Sequence, residues 1–190
     1  EATLAAFSIA ARVTLAGSLS SNIHGRGLRF PPIIGDIESF VLMDAKGEAH
    51  TCSRRENPEL FSLAIGGYGL FGIILQITLR LAPRTKLERV VEVIAVKDLI
   101  PRVSERIRQG FVYGDCQYST DLETDAQLHA GVFSCYRPVD LNAPVPKHQK
   151  QLSPQDWVEL YKLARTNKKM AFEKYSKYYL STSGQIYWSD

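Results

Sequence analysis

Gly67, Gly69 and Gly72 spell G-x-G-x-x-G within Gly66-Gly67-Tyr68-Gly69-Leu70-Phe71-Gly72-Ile73-Ile74. Such a run can cradle a dinucleotide diphosphate, provided that a strand enters it and a helix leaves it. The helix N-terminus then faces the negative charge. The flanks here run the other way. Asn57 and Pro58 suit an N-cap and a first helical position, so a short helix over 57–65 leads into the glycines. Beyond them Ile73, Leu75, Ile77, Leu79 and Leu81 alternate with Ile74, Gln76, Thr78 and Arg80, a half-buried strand stopped by Pro83. Helix, glycine turn, strand excludes a Rossmann site. Positive φ or close backbone approach must account for the glycines.

A second candidate is His24, within Gly17-Ser18-Leu19-Ser20-Ser21-Asn22-Ile23-His24-Gly25. An imidazole there could contact a cofactor or substrate near neutral pH. On the residues alone, a loop histidine bonded to its own backbone is the better reading. Gln117, Tyr118 and Asp121 could line a pocket. Arg165, Lys168, Lys169, Lys174 and Lys177, interleaved with Phe172, Tyr175, Tyr178 and Tyr179, offer a basic and aromatic face. Such spacing more often marks one solvated and one buried side of a helix than a nucleic-acid surface.

The elements that must position these residues form two groups. In the first, Ile37 to Met43 and Glu48 to Cys52 make a hairpin around Asp44-Ala45-Lys46-Gly47, and the 57–65 helix and 73–81 strand follow. Pro83-Arg84-Thr85-Lys86 is a polar break, which divides the chain into 1–84 and 85–190. The second group opens with a strand over 87–96 and a helix capped by Asp98 and ended by Gly110. Strands over 111–118 and 128–136 follow, so this part is α+β, an open antiparallel sheet with a helix on one face. Residues 138–151 read as a linker or surface loop. Ser153-Pro154-Gln155-Asp156 resembles a capping box opening a helix with Trp157 and Leu160, and 168–180 is a further helix. The Ala- and Leu-rich start, 1–15, is helix-compatible before it turns β-branched at Val13-Thr14.

With 45% hydrophobic and 23% charged residues, 190 residues can bury a sizeable core. A net charge of +3 is too weakly basic to favour nucleic acid. No apolar run spans a bilayer, and no secretory leader is expected. Cys52, Cys116 and Cys135 are too widely spaced for a zinc site or a disulfide framework, so no metal is expected. The expected compartment is the cytoplasm, and peripheral membrane association stays open. Residue chemistry alone yields two α+β units with two glycine-rich loops.

Taken together, Thr14-Leu15-Ala16-Gly17-Ser18-Leu19-Ser20-Ser21-Asn22-Ile23-His24-Gly25, the hairpin, Pro58-Glu59-Leu60-Phe61 and Gly66 to Ile74 resemble a known family. It is that of the FAD-linked oxidases of the vanillyl-alcohol oxidase/p-cresol methylhydroxylase type. The branch they look most similar to holds decaprenylphosphoryl-ribose oxidase and the alditol and aldonolactone oxidases. The resemblance covers residues 13–83, and less specifically 87–190. It implies that 1–84 is the second half of a PCMH-type FAD-binding domain and 85–190 the start of an α+β substrate domain. It further implies a cofactor, FAD, held by extended loops: Gly17, Ser18, Ser21, Ile23, His24 and Gly25 along the flavin and pyrophosphate, Tyr68 and Gly69 near the adenosine or ribityl part, and Ile74 through its backbone. His24 is the candidate to sit by the flavin, orienting or polarising. The family's first FAD loop is expected upstream of Glu1 and its catalytic base beyond Asp190, which makes the chain a fragment. The implied reaction is oxidation of a CH–OH group of a sugar-like, alditol or lactone substrate. Competing readings are a non-catalytic binding or structural module, a subunit completed by another chain, and a nucleic-acid binder using the 165–177 face.

Overall fold

The computed structural model describes residues 2–3, 13–121 and 129–189. The expected helix-compatible start falls largely outside the described residues. So does the first residue of the 128–136 strand. Contacts divide the chain between Arg84 and Thr85 into two compact units.

In the first unit, β1 (Ala2–Thr3) pairs with β5 (Ala82–Pro83). Helix α1 (Leu15–Ser20) precedes a three-stranded antiparallel sheet of β2 (Ile37–Met43), β3 (Ala49–Ser53) and β4 (Ile73–Leu79), in the order β3-β2-β4. The hairpin forms as its turn chemistry requires. The Asp44 carboxylate accepts from the N–H groups of Lys46 (2.8 Å) and Glu48 (3.0 Å), and Gly47 takes a left-handed φ of 83°. Leu19, Ile37, Phe40, Leu42, Cys52 and Phe61 form the core, with the Phe40 and Phe61 rings stacked at 5.4 Å.

The alternation expected over 73–81 does not survive on one face. Between the pairs Val41–Gln76 and Leu42–Ile74, β4 gains an extra residue, Leu75; between Ile37–Leu79 and Ser39–Thr78, β2 gains Glu38. Each is a β-bulge, and each shifts which side chains point inward. Ile74, Ile77 and Leu79 therefore pack on the core beside Leu42, Phe40 and Ile37, whereas Ile73 and Leu75 stay 61% and 56% exposed. The strand also ends at Leu79 rather than at Leu81.

Helix α2 (Pro58–Ala64) starts with Pro58 at its first position, but Asn57 does not cap it with its side chain. Asn57 sits in the left-handed region and donates its amide to the Thr51 carbonyl at 2.8 Å, stapling the helix start to β3.

The second unit is a four-stranded antiparallel sheet, order β7-β8-β6-β9, of β6 (Lys86–Ala95), β7 (Tyr113–Tyr118), β8 (Ala130–Val139) and β9 (Ile186–Trp188). The sequence gives no signal for β9, only three residues long, beyond an apolar run. Pro138 extends β8 into the expected linker, because β7 stops pairing at Tyr136 and leaves β8 a single neighbour there. Helix α3 (Leu99–Arg108) packs near Glu92, which accepts from Arg102 (2.5 Å) and Arg106 (2.9 Å). Asp98 stands at the N-cap of α3, but its side chain makes no cap hydrogen bond. Its C-terminus is closed by Gly110 at φ 84° and by N–H groups of Gly110 and Phe111 bonding back to Ile107 and Arg106, a Schellman end. Helices α4 (Pro154–Thr166) and α5 (Lys168–Ser181) pack on each other, and Ser153 and Asp156 close the expected capping box.

Candidate functional site

The two glycine-rich loops meet. The Gly66 N–H donates to the Leu19 carbonyl (3.1 Å) and the Tyr68 N–H to the Ser20 carbonyl (2.9 Å), tying the glycine turn to the end of α1. Both ties depend on local backbone chemistry. The Thr14 hydroxyl caps α1 by accepting from the Gly17 N–H at 3.0 Å. Asn22, at φ 43°, reverses the chain after α1 and accepts from the Ile34 N–H through its side chain at 3.4 Å. Ile23 is then held between the Ser18 carbonyl, to which it donates (3.1 Å), and the Ile33 N–H, from which it accepts (2.8 Å).

The glycine turn runs from helix to strand, as its flanks require, and its glycines have separate reasons. Tyr68 (φ 51°) and Gly69 (φ 81°) are the two central residues of a tight turn closed by Leu70 N–H to Gly67 O at 3.0 Å. A Cβ on Gly67 would lie 2.3 Å from the Leu63 carbonyl, and one on Gly72 2.3 Å from that of Met43. A Cβ on Gly69 would meet nothing within 4 Å. Two of the glycines thus serve close internal packing, and the third leaves open space at the tip.

Of the residues expected to hold a cofactor, Gly17, Ser18, Ser21, Ile23, His24, Gly25, Tyr68, Gly69 and Ile74, all fall in this first unit. Ser18 is buried inside α1, and the Ile74 side chain packs on the core from edge strand β4. Gly17, Ser21, His24 and Gly69 are exposed, and Tyr68 is 78% exposed. The imidazole Nδ1 of His24 lies 3.2 Å from the carbonyl of its neighbour Gly25. Apolar side chains in and beside the loops reach solvent: Leu15, Leu70, Ile73 and Leu75 are all more than half exposed. Neither loop, over 14–25 or 66–74, contains an acidic residue.

Elsewhere, Asp44, Glu48 and His50 bring one ligand-type atom each within 4.8 Å. That geometry belongs to the hairpin: the His50 Nε2 lies 3.0 Å from Asp44, and this bond holds the Asp44 carboxyl below the usual carboxylate range. Burial pushes the Cys135 thiol up to about 12, so it is an inert core group. On the basic face of α5, Lys174 pairs with Glu159 and Asp156, while the Tyr179 ring lies against the Arg89 guanidinium and the Tyr175 ring. Gln117 and Tyr118 do line a cavity, whereas Asp121 is buried beside it. Trp157, Tyr161, Phe172 and Tyr175 in that cavity were not anticipated, although their spacing of four and three residues on two helices is readable.

No family model matches the chain. It is 37% identical over 90 residues to cytokinin dehydrogenase 6 of Oryza sativa subsp. japonica, an alignment covering 47% of this chain and 17% of that protein. It is 43% identical over 63 residues to cytokinin dehydrogenase 2 of Arabidopsis thaliana, covering 33% and 13%. It is 37% identical over 87 residues to a D-arabinono-1,4-lactone oxidase of Yarrowia lipolytica, covering 46% and 16%. The chain therefore spans less than a fifth of the length of these relatives. All three are oxidoreductases of the FAD-linked oxidase family that the loops resemble.

Proposed function

We propose that the chain is part of an FAD-dependent oxidoreductase. Residues 1–84 would form the second half of a PCMH-type FAD-binding domain and residues 85–190 the start of the substrate domain. The observation that carries this reading is the pair of hydrogen bonds from Gly66 to Leu19 and from Tyr68 to Ser20, which joins the two loops into one exposed surface.

The residues fit the cofactor. A diphosphate is held by backbone N–H groups where glycine permits approach, and it disfavours nearby carboxylates. The loops offer an open glycine tip at Gly69 and no acidic side chain. The exposed Leu15, Leu70 and Tyr68 give apolar cover for rings and a ribityl chain. In this reading Gly17, Ser18, Ser21, Ile23, His24 and Gly25 run along the flavin and pyrophosphate, Tyr68 and Gly69 lie by the ribityl or adenosine part, and Ile74 contributes backbone. Bound FAD would supply a hydride acceptor for oxidation of a CH–OH group on a sugar-like, alditol or lactone substrate. His24 would orient or polarise; among the described residues no carboxylate is bonded to it that would make it a base. A cytoplasmic location accords with this reading, and no helix among the described residues is long and apolar enough to cross a membrane.

The test is the visible spectrum of the full-length protein, before and after acid precipitation. A flavin absorbance is expected, and its partition between pellet and supernatant reports covalent attachment. A folded, full-length protein that stays colourless after incubation with FAD sinks the reading.

A further inference from the structure

The second unit contains a cavity of about 330 Å³ between α4, α5 and the end of β7. That size lies within the range of small-molecule sites, about 300–1,000 Å³. Its walls are mostly rings. On α4, Trp157 and Tyr161 stand one turn apart with ring centroids 5.9 Å apart and planes inclined by 29°. Phe172 and Tyr175 face them from α5, and buried Leu160 lies among them. Trp157 is 37% and Tyr161 65% exposed, so these rings are not consumed by helix packing. Aromatic faces left accessible in a concave site favour a flat, apolar ligand, which they can stack against in offset or edge-on geometry.

The polar groups then set the ligand's charge. Among the described residues no carboxylate lines the cavity, and the one cationic group that does is Lys168, the first residue of α5. Among the described residues the Lys168 ammonium has neither a hydrogen bond nor an ion pair. Gln117 donates its amide to Asp115 at 3.3 Å, which leaves its carbonyl oxygen for a ligand N–H or O–H. Rings for a flat body and an unpaired ammonium for an anionic end define one class of ligand. We infer that this cavity binds a small planar aromatic carboxylate, with its ring between the α4 and α5 aromatics and its carboxylate toward Lys168. The inference rests on the second unit alone and is independent of any flavin.

Isothermal titration of the full-length protein with 2-naphthoate tests it, with 2-naphthamide as the neutral counterpart. One saturable site is expected, with the amide weaker by about twofold to fivefold, the scale of a solvent-exposed charge pair. Lys168→Gln should bring naphthoate down to the level of naphthamide and leave naphthamide unchanged. Trp157→Ala should weaken both ligands by about tenfold, the scale of one lost aromatic contact with its buried area. Lys168 is exposed, so its replacement tests the site even if the Trp157 variant fails to fold. The inference is overturned by the absence of saturable heat, or by naphthoate affinity unchanged in Lys168→Gln. Naphthoate that shifts a flavin absorbance band overturns it too, as does a dimer in light scattering that Trp157→Ala returns to monomer.

Discussion

Gly72 shows how much one residue type can decide. Its φ of 142° lies where side chains other than glycine are strained, and an added Cβ would approach the Met43 carbonyl to 2.3 Å and the Leu42 side chain to 2.6 Å. A side chain at position 69 would be strained by φ alone, at 81°, with open space around it. Gly72→Ala should therefore lower stability by roughly 2–4 kcal/mol, combining backbone strain with overpacking. Gly69→Ala should cost about 1 kcal/mol, from its left-handed φ only. Urea midpoints of the two variants check this; equal losses would mean that close approach to β2 is not what position 72 requires. The letters G-x-G-x-x-G were legible in the sequence, but which glycine serves φ and which serves contact was not. At Gly72 that distinction depends on β2, about thirty residues away in the chain, and no local spacing encodes it. His24 was likewise visible as a candidate, and its contact with the adjacent Gly25 carbonyl is of the local kind that its loop suggested.

At the scale of elements, the sequence pattern located most helices and strands and misjudged where they face. The 73–81 alternation predicted a single apolar face, and the bulge at Leu75 split it, because a one-residue slip against β2 reverses every following side chain. The cap positions behaved in the same way. Ser153 and Asp156 carry their partners within one turn, so the capping box was readable. Asn57 instead bonds to Thr51, a partner supplied by the fold. The α3 helix shows what such non-local partners contribute. Glu92 on β6 accepts from both Arg102 and Arg106, and Arg102 in turn holds the Glu105 carboxyl below the usual carboxylate range. Arg106 is only 16% exposed. Glu92→Ala should then cost roughly 1–2 kcal/mol, that is, charge-assisted bonds discounted for partial exposure. Amide exchange should quicken over Leu99–Arg108. Arg137→Ala, which removes the more exposed pair with Glu88, should cost less than about 1 kcal/mol. A loss from Glu92→Ala no larger than that would assign α3 docking to apolar contacts instead.

For the molecule as a whole, the proposed flavin loops and the aromatic cavity lie in different units, on either side of Arg84 and Thr85. Ligand effects should divide in the same way. If the loop pair holds FAD, the amides that join the loops become harder to open, since opening them would release the ligand. Hydrogen exchange on the full-length protein with and without FAD should then show added protection at Gly17–Gly25 and Gly66–Gly72. Exchange over α4 and α5 should hardly change. The magnitude follows from mass action: at a hundredfold excess of FAD over its Kd, protection of loop amides that exchange only from the unbound state should rise by about 2.7 kcal/mol, or roughly a hundredfold. 2-Naphthoate should do the reverse, slowing exchange around Trp157–Tyr161 and Phe172–Tyr175 and leaving the loops alone. Protection by FAD confined to α4 and α5 would move the cofactor reading away from the glycine loops. In that outcome the bonds from Gly66 to Leu19 and from Tyr68 to Ser20 are scaffold, and the apolar surface around Leu70 and Leu75 needs a different partner to explain it.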